Sequence, residues 1–228
     1  MRHYAPELLK TNKEITLSLE ESRHALTVLR KKEGDSIDII NGLGEYGVGN
    51  IVKIQKKQVL LKITSLKKEA KPSPKITLAN AITHSSKLDL VIEKGTELGA
   101  DRFFLFPAEL SEKNLIKPTH LERLKKITIS AMKQSGRLYL PEIVLMPPLK
   151  KWSPPDGRGF YGATIPKAPP ITSPIPKEAL FFVGPEKGFS KEELALLNIW
   201  KMKGVSLSQN ILRTETASIA ALAILLSA

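Results

Sequence analysis

Two segments near the carboxyl end contain residue types that could bind a ligand. The first, residues 181–190 (FFVGPEKGFS), is an apolar run that opens into a glycine-bearing turn. Glu193 follows Ser190 by three residues, which is the spacing of a helix capping box. Such a turn exposes backbone amides and carbonyls, which suits recognition of a flat polar group such as adenine. The same residues would also form an ordinary strand-to-helix turn.

The second segment, residues 205–217 (VSLSQNILRTETA), again predicts a strand, a loop and the start of a helix. Thr214 is a good N-cap, and Glu215 suits the positive end of the helix dipole. Arg213 gains nothing from that dipole, so a structural role would pair it with Glu215 or Glu186. A functional role would direct its guanidinium at an anion or a developing negative charge, and we favour this interpretation.

Strands that alternate with helices from Lys75 onward must position both segments, and they predict an α/β layer with a mainly parallel sheet. Gly99 and Gly136 stand where predicted helices would stop. The expected helices and strands include residues 88–98, 102–106, 119–135, 181–184 and 205–207. The residues of the second helix expected to face outward form a basic stripe of Lys125, Lys126 and Lys133.

The chain before Lys75 predicts a small β-barrel. Its strand-like runs begin at Ile15, Ser36, Tyr46 and Gln58. A helix over residues 20–30 is expected to turn Ala25, Leu26, Val28 and Leu29 inward and to leave Arg23, His24, Arg30, Lys31 and Lys32 accessible. Residues 67–75 (KKEAKPSPK) have the charge and prolines of a linker, so the domains are expected at residues 1–70 and 75–228. Residues 42–47 (GLGEYG) spell a dinucleotide-binding fingerprint, but a strand-like run follows them, which indicates a hairpin turn.

Composition narrows the possible functions. The 228 residues include 35 basic and 23 acidic side chains, a net charge of +12 that favours a nucleic-acid partner. The chain has no cysteine, which excludes disulfides, thiolate metal sites and a cysteine nucleophile. The charged N-terminus does not resemble a signal peptide, and the most apolar run is too short to span a membrane. We therefore expect a cytoplasmic protein without a membrane association.

Five sequence segments together resemble a known family. They are RHALTVLRKKEGDSIDIINGLG, EKGTELGADRFFLFPAELSE, AMKQSGRLYLPEI, GPEKGFSKEE and LSQNILRTETA. Their order and spacing are similar to those of the bacterial family that methylates N3 of a uridine in small-subunit (16S) ribosomal RNA, within the SPOUT superfamily. The resemblance implies a PUA-like β-barrel followed by an α/β SPOUT domain with a C-terminal deep trefoil knot. It also implies S-adenosyl-L-methionine as the cofactor and a homodimer formed across the knot.

By the same resemblance, the cofactor is expected to contact loops that follow the predicted strands. The expected cofactor residues are Gly184, Pro185, Glu186, Gly188, Leu207, Ser208, Ile211 and Leu212, with further contacts just after Tyr161. This sequence departs from the family pattern at Lys187 and Ser208, where glycine is usual. If either position needed a positive φ, a side chain there would cost on the order of 1 kcal/mol. Lys133 also replaces a residue that is commonly acidic.

The absence of cysteine is consistent with methylation of a uridine ring nitrogen. Methylation at carbon 5 of a pyrimidine needs a cysteine nucleophile, whereas transfer to a ring nitrogen needs only proton removal, charge stabilisation and alignment. Our hypothesis is that Arg213 stabilises the charge on the uridine oxygens. Glu186 or Glu215 would hold Arg213 or assist loss of the proton, and the residues do not decide between them.

The RNA is expected to contact basic side chains of both domains. The main candidates are Arg23, His24, Arg30, Lys125, Lys133, Gln134 and Arg137. The four histidines are scattered without paired spacing, so no metal site is expected. The substrate would be the RNA or the assembled 30S particle. Two alternatives stay open: a SPOUT enzyme that methylates another RNA nucleotide, and a non-catalytic ribosome-assembly factor that retains the fold.

Overall fold

The computed structural model describes residues 2–9, 14–165, 168–171 and 175–227. Its backbone contacts divide the chain into two units. The first unit contains Met1–Lys71 together with Ile129–Leu140, and the second contains Pro72–Thr128 and Pro141–Ala228. Residues 129–140 thus pack with the first unit, although they lie within the stretch for which the sequence predicts the second domain.

The first unit is built on a five-stranded sheet with the order β1-β3-β4-β5-β2. The strands are β1 (His3–Tyr4), β2 (Glu14–Thr16), β3 (Ser36–Ile40), β4 (Glu45–Gln55) and β5 (Gln58–Lys68). Among the strand pairs that the structure describes in this sheet, only β1–β3 is parallel. Residues along the first half of β4 alternate between buried and half-buried, because successive side chains of a strand point to opposite faces. Their inner face packs on a core that includes Leu8, Leu17, Ile39 and Leu61.

A hairpin joins β3 to β4, as the sequence predicts for residues 42–47. The two strands pair antiparallel with Ile40 opposite Tyr46. Gly42 and Gly44 have φ values of 75° and 93°, in the left-handed region that glycine adopts without strain. The fingerprint-like glycines therefore shape a turn and not a phosphate-binding helix start.

The helical segment of the first unit differs from the prediction at its end. Helix α1 (Leu19–Arg23) begins at Ser18, whose side chain accepts a hydrogen bond from the Glu21 amide. A single π-helical turn, His24–Val28, continues it. The prediction that Val28 faces the core is wrong, since its side chain is 63% exposed. A π turn holds more residues than an α turn, so the ordinary helical period assigns the wrong face to Val28.

The second unit contains six parallel strands in the order β11-β9-β10-β6-β7-β8, which confirms the predicted α/β layer. The strands are β6 (Lys75–Ala81), β7 (Arg102–Phe106), β8 (Glu142–Leu145), β9 (Arg158–Gly162), β10 (Glu178–Val183) and β11 (Lys203–Val205). The helices are α2 (Ser85–Leu98), α3 (Pro118–Ser135), α4 (Lys191–Ile199) and α5 (Thr214–Ser227). The last residues of α3 belong to the first unit.

Both faces of this sheet are covered, which explains why its central strands are apolar without alternation. Five consecutive residues of β10, from Ala179 to Val183, are buried. Phe181 packs into a core with α2 and α5, whereas Phe182 packs into a second core that includes Leu197 of α4 and Trp200. The sheet is thereby held rigidly between helices. Within the described residues, no helix has both the length and the apolar character needed to cross a bilayer.

Candidate functional site

Loops that leave the carboxyl ends of β9, β10 and β11 surround one cavity of the second unit, with a volume of about 1010 Å³. The carboxyl ends of parallel strands meet at one edge of a sheet, which is where α/β proteins bind ligands. The cavity is lined by residues 161–165, 183–189 and 205–214, together with Lys87, Ala168, Leu194 and Ala217. The two segments singled out in the sequence thus lie side by side.

All eight residues that the resemblance implied as cofactor contacts line this cavity. The residues that follow Tyr161 line it as well. Arg213 and Glu186 are also lining residues, whereas Glu215 is not among them. The structure therefore brings together the predicted cofactor residues and two of the three predicted catalytic side chains.

The turn after β10 depends on two glycines. A Cβ on Gly184 would lie 3.2 Å from both the amide nitrogen and Cδ2 of Phe189, tighter than a normal contact. Gly188 has a φ of 76°, which other residues adopt only with strain. Helix α4 then begins at Ser190, and the predicted capping box with Glu193 is present in both directions. Ser190 Oγ also donates to Glu109 at 2.7 Å, which ties the turn to the loop after β7.

The two departures from the family pattern introduce no backbone strain. Neither Lys187 nor Ser208 is among the residues with a positive φ in the described chain. Ser208 instead supports its own loop: its Oγ accepts a hydrogen bond from the Asn210 amide at 3.2 Å, and its carbonyl accepts one from Ser206 Oγ at 2.8 Å. The free-energy penalty expected for a side chain at a positive φ does not apply at either position.

Lys87, in the first turn of α2, is a cavity residue that the sequence interpretation missed. Its Nζ donates to Glu186 Oε1 at 2.8 Å. Burial opposes ionisation of Glu186, but the hydrogen bond and charge of Lys87, together with a backbone hydrogen bond and the charge of His84, outweigh it, so the pKa of Glu186 is lowered. The hydrogen bond to Glu186 in turn raises the pKa of Lys87. The sequence did contain a signal for this contact. Lys87 follows the carboxyl end of β6, and β6 lies next to β10, the strand that Glu186 follows.

The pairing of Arg213 with Glu186 that a structural role would require is not formed, and Glu186 contacts Lys87 instead. Arg213 is exposed at the cavity, and no carboxylate of the described residues forms a salt bridge with it. Glu215 has one buried oxygen, Oε2, without a hydrogen-bond partner. The charges of Glu215 and Arg213 both act on the pKa of Lys87, so the four ionisable groups share one electrostatic environment.

Contacts of Ser218 hold the start of α5, which follows the cavity residue Arg213. Ser218 Oγ lies 2.5 Å from Asn80 Oδ1 and 2.9 Å from the carbonyl of Thr214. Asn80 is fully buried on β6, and Ser218 is fully buried on α5. This contact fixes the helix end that follows Arg213.

The candidate RNA residues differ in their accessibility. Lys125 lies in the second unit, and the other six lie in the first unit. The exposed side chains are Arg23, Arg30, Lys125 and Gln134, and the half-buried ones are His24 and Arg137. The prediction that Lys133 faces outward is wrong, because its side chain is only 12% exposed. Its Nζ instead donates to the buried carboxylate of Glu21 at 2.6 Å.

Comparison with known proteins decides the family. Residues 69–226 match the RNA methyltransferase domain, and residues 17–64 match the RNA methyltransferase PUA domain. The ribosomal RNA small subunit methyltransferase E of Rickettsia conorii is 32% identical over 233 residues, which cover 97% of this chain and 93% of that protein. This chain belongs to that methyltransferase family. The protein of the same name from Aquifex aeolicus is also 32% identical, over 91% of this chain and 97% of its own length.

Solved structures of family members have the same architecture. A methyltransferase from Legionella pneumophila, determined with S-adenosylmethionine, has a TM-score of 0.88 and 28% identity over 99% of this chain and 96% of its own. The ribosomal RNA small subunit methyltransferase E from Neisseria gonorrhoeae, also bound to S-adenosylmethionine, has a TM-score of 0.87 and 27% identity over the same shares. The combination of a PUA domain with an α/β methyltransferase core is therefore common to this chain and its relatives.

Proposed function

We propose that this chain methylates N3 of a uridine in small-subunit (16S) ribosomal RNA, with S-adenosyl-L-methionine bound in the cavity of the second unit. The observation that carries the proposal is the convergence of three loops, which contain all eight expected cofactor residues, on one cavity. Family membership supports the reaction class. When bound, the cofactor supplies an electrophilic methyl group on a sulfonium.

The cavity suits this cofactor in size and in chemistry. Its volume of about 1010 Å³ is at the upper end of ordinary small-ligand pockets. Gly184 and Gly188 leave backbone amides and carbonyls uncovered, and these groups can hydrogen-bond a flat base. Ile211 is 82% exposed, and Leu207 lies nearby in the same loop, so an apolar surface is available for an adenine ring.

Arg213 is proposed to stabilise the negative charge that develops on the uridine oxygens when the N3 proton leaves. It is accessible and is not neutralised by a carboxylate of the described chain, so its full charge is available to the substrate. Lys87 adds a second positive charge at the same edge of the sheet, where it keeps Glu186 ionised.

Of the two carboxylates, Glu215 is the better proposed partner for the proton or for Arg213. The lowered pKa of Glu186 makes that carboxylate a poorer base, and its charge is already compensated by Lys87. Glu215, two positions after Arg213 in the chain, retains a buried oxygen without a hydrogen-bond partner. A proton acceptor must come within hydrogen-bond reach of N3, which substrate binding would have to bring about.

The knot, the homodimer and the RNA contacts that the resemblance implied are proposed as well. We infer that the loops around the cavity form a deep trefoil knot and that two copies of the chain pair across it. The exposed apolar side chains of Ile199 and Ile211 support such a pairing. We propose that RNA contacts Arg23, Arg30 and Gln134 of the first unit and, separately, Lys125 of the second, with phosphate contacts that set affinity and not the choice of base. A bacterial enzyme with this substrate would act in the cytoplasm.

The test is to locate the methyl group. The protein is incubated with labelled S-adenosylmethionine and undermethylated small subunits, and the labelled nucleotide is identified by mass spectrometry. A single N3-methyluridine in 16S RNA is the expected product. A label on another nucleotide would replace the proposed specificity, and calorimetry without detectable cofactor binding would favour a non-catalytic assembly factor. Naked 16S RNA in a parallel reaction shows whether the assembled 30S particle is required.

A further inference from the structure

A cluster of three metal-binding side chains lies in the first unit, separate in the sequence from every residue assigned above to cofactor binding. His3 is on β1, Glu21 is in α1, and His24 opens the π turn. One ligand atom from each residue lies within 4.8 Å of the other two. The rings of His3 and His24 are 5.4 Å apart between centroids.

Most of the polar atoms in this cluster have no partner. His3 is 1% exposed and Glu21 is 5% exposed. Both ring nitrogens of His3, Oε2 of Glu21 and Nδ1 of His24 are buried without a hydrogen bond of normal geometry, although the Asp38 backbone lies near enough to His3 to affect its pKa. Buried polar atoms are nearly always paired, so three ligand atoms that converge within 4.8 Å, on side chains that hold buried unpaired atoms, form the pattern of a ligand site.

Lys133 explains only one of the carboxylate oxygens. Its Nζ donates to Glu21 Oε1 at 2.6 Å, which orients the carboxylate and leaves Oε2 directed elsewhere. A contact of this kind is the usual support for a metal-binding carboxylate. An ion pair between Lys133 and Glu21 alone does not account for the unpaired ring nitrogens of His3 and His24.

His3 is a neutral imidazole at neutral pH. Burial, followed by the nearby charges of His24, Lys133 and the N-terminus, lowers its pKa to about 4, against a smaller opposite effect of the Asp38 backbone. A neutral imidazole keeps a lone pair on one nitrogen, which is the form that coordinates metals. The geometry of the cluster carries the inference, and this charge state is compatible with it.

We infer that His3, Glu21 and His24 bind one divalent transition-metal ion, with zinc the best match to the donor set. Two imidazole nitrogens and one carboxylate oxygen are typical ligands of zinc, with a fourth position left for water. Ligands around a tetrahedral zinc lie about 3.4 Å apart, so the three side chains need to move together by only about 1 Å. The ion would link β1 to α1 and stabilise the first unit.

Lys133 has two opposite effects on a metal ion at this site. Its ammonium group lies beside the site and opposes a cation, although its hydrogen bond orients Glu21. Lys133→Gln retains a donor for Glu21 and removes the positive charge. Zinc should therefore bind the Lys133→Gln variant about tenfold more tightly than the original chain. A role of Lys133 limited to its ion pair with Glu21 predicts no such gain.

The experiment is a zinc titration of the full chain, prepared without a histidine tag and stripped with a chelator. Competition with a chromophoric chelator should give one zinc per chain. His3→Phe, Glu21→Gln and His24→Gln should each weaken binding by about 100-fold. The matched control is His84→Gln, a histidine of the second unit, which should bind zinc like the original chain. Zinc should raise the unfolding temperature of the original chain and of the control, and leave that of His3→Phe unchanged.

X-ray absorption of the zinc-loaded original chain gives a result that does not depend on folding of the variants. Two imidazoles in the zinc coordination shell are expected, and a spectrum without imidazole scattering would overturn the inference. The absence of stoichiometric zinc binding, or equal affinity in folded His3→Phe and the original chain, would overturn it as well.

Discussion

Lys87 Nζ lies 2.8 Å from Glu186 Oε1, and this ion pair closes one side of the cavity in the second unit. The residues are 99 positions apart, on the first turn of α2 and on the loop after β10. The pair sets the charge state of the only predicted catalytic carboxylate that lines the described cavity. Glu186 is therefore not the salt-bridge partner of Arg213, although the sequence left that pairing open as a structural role for Arg213.

The first prediction concerns Lys87→Met. The variant removes the hydrogen bond and the charge that Lys87 contributes, so the pKa of Glu186 should rise, which carboxyl NMR would measure as a shift of its titration midpoint. Because the pKa is lowered in the folded state, the pair's contribution to stability is present above the ordinary value of 4.5 and is lost as the pH falls through the folded pKa. The difference in unfolding temperature between variant and original should therefore be largest at neutral pH and shrink in acid.

Lys94→Met is the matched control for this experiment. Lys94 is on the same helix and pairs with Glu93 and Glu97, but it does not line the cavity. This variant should leave the titration of Glu186 unchanged. An unaltered Glu186 midpoint in Lys87→Met would contradict the electrostatic role given to Lys87.

The second prediction concerns Arg213→Ala. We expect methylation to fall by about 10²–10³, the usual effect of removing one charge-stabilising donor, with little change in cofactor affinity. Stability should be retained because Arg213 is exposed and no salt bridge within the described chain holds it. Arg158→Ala, at the amino end of β9 and therefore at the opposite edge of the sheet, should keep full activity. Single-turnover assays separate the two outcomes, and a fully active Arg213→Ala would exclude Arg213 from the mechanism.

The third prediction compares two neighbouring positions in the turn after β10. Gly188→Ala places a side chain at a φ of 76° and should destabilise the fold by about 1 kcal/mol. The added Cβ would meet no atom within 4 Å, so the effect is purely one of backbone conformation. Lys187→Gly should bring no gain from relief of strain, because Lys187 has no positive φ. Thermal denaturation measures both effects: a stable Gly188→Ala variant, or a Lys187→Gly variant more stable than the original chain, would contradict the prediction.

The fourth prediction separates two lysines of α3. Lys125 is exposed, so Lys125→Ala should reduce the slope of log affinity for RNA against log salt by about 1 if it contacts a phosphate. Lys133→Ala removes the partner of buried Glu21 and should destabilise the chain by about 3 kcal/mol. Filter binding at several salt concentrations measures the first effect, and chemical denaturation measures the second. If Lys133→Ala lost RNA affinity but kept its free energy of unfolding, Lys133 would be a direct RNA contact after all.

Local signals in the sequence were enough to predict much of the second unit. The strand Arg102–Phe106 has the expected bounds, α2 ends at Gly99 with a φ of 110°, and the capping box of α4 forms between Ser190 and Glu193. Each of these features depends on residues a few positions apart, so composition and spacing determine them. The position of the cavity also follows from the predicted parallel sheet, because parallel strands bring their carboxyl ends to one edge.

Tertiary structure decided the features that join distant residues. Lys133 and Glu21 are 112 positions apart. The helical period predicted an outward-facing lysine, and it cannot predict a contact with a buried carboxylate so distant in the chain. The π turn at His24–Val28 shifted the exposed face of a helix that was predicted with the ordinary period. Residue types and short spacings determined which loops could bind a ligand. Which charges meet, and which polar atoms are left buried and unpaired, depended on packing between segments that the chain order keeps far apart.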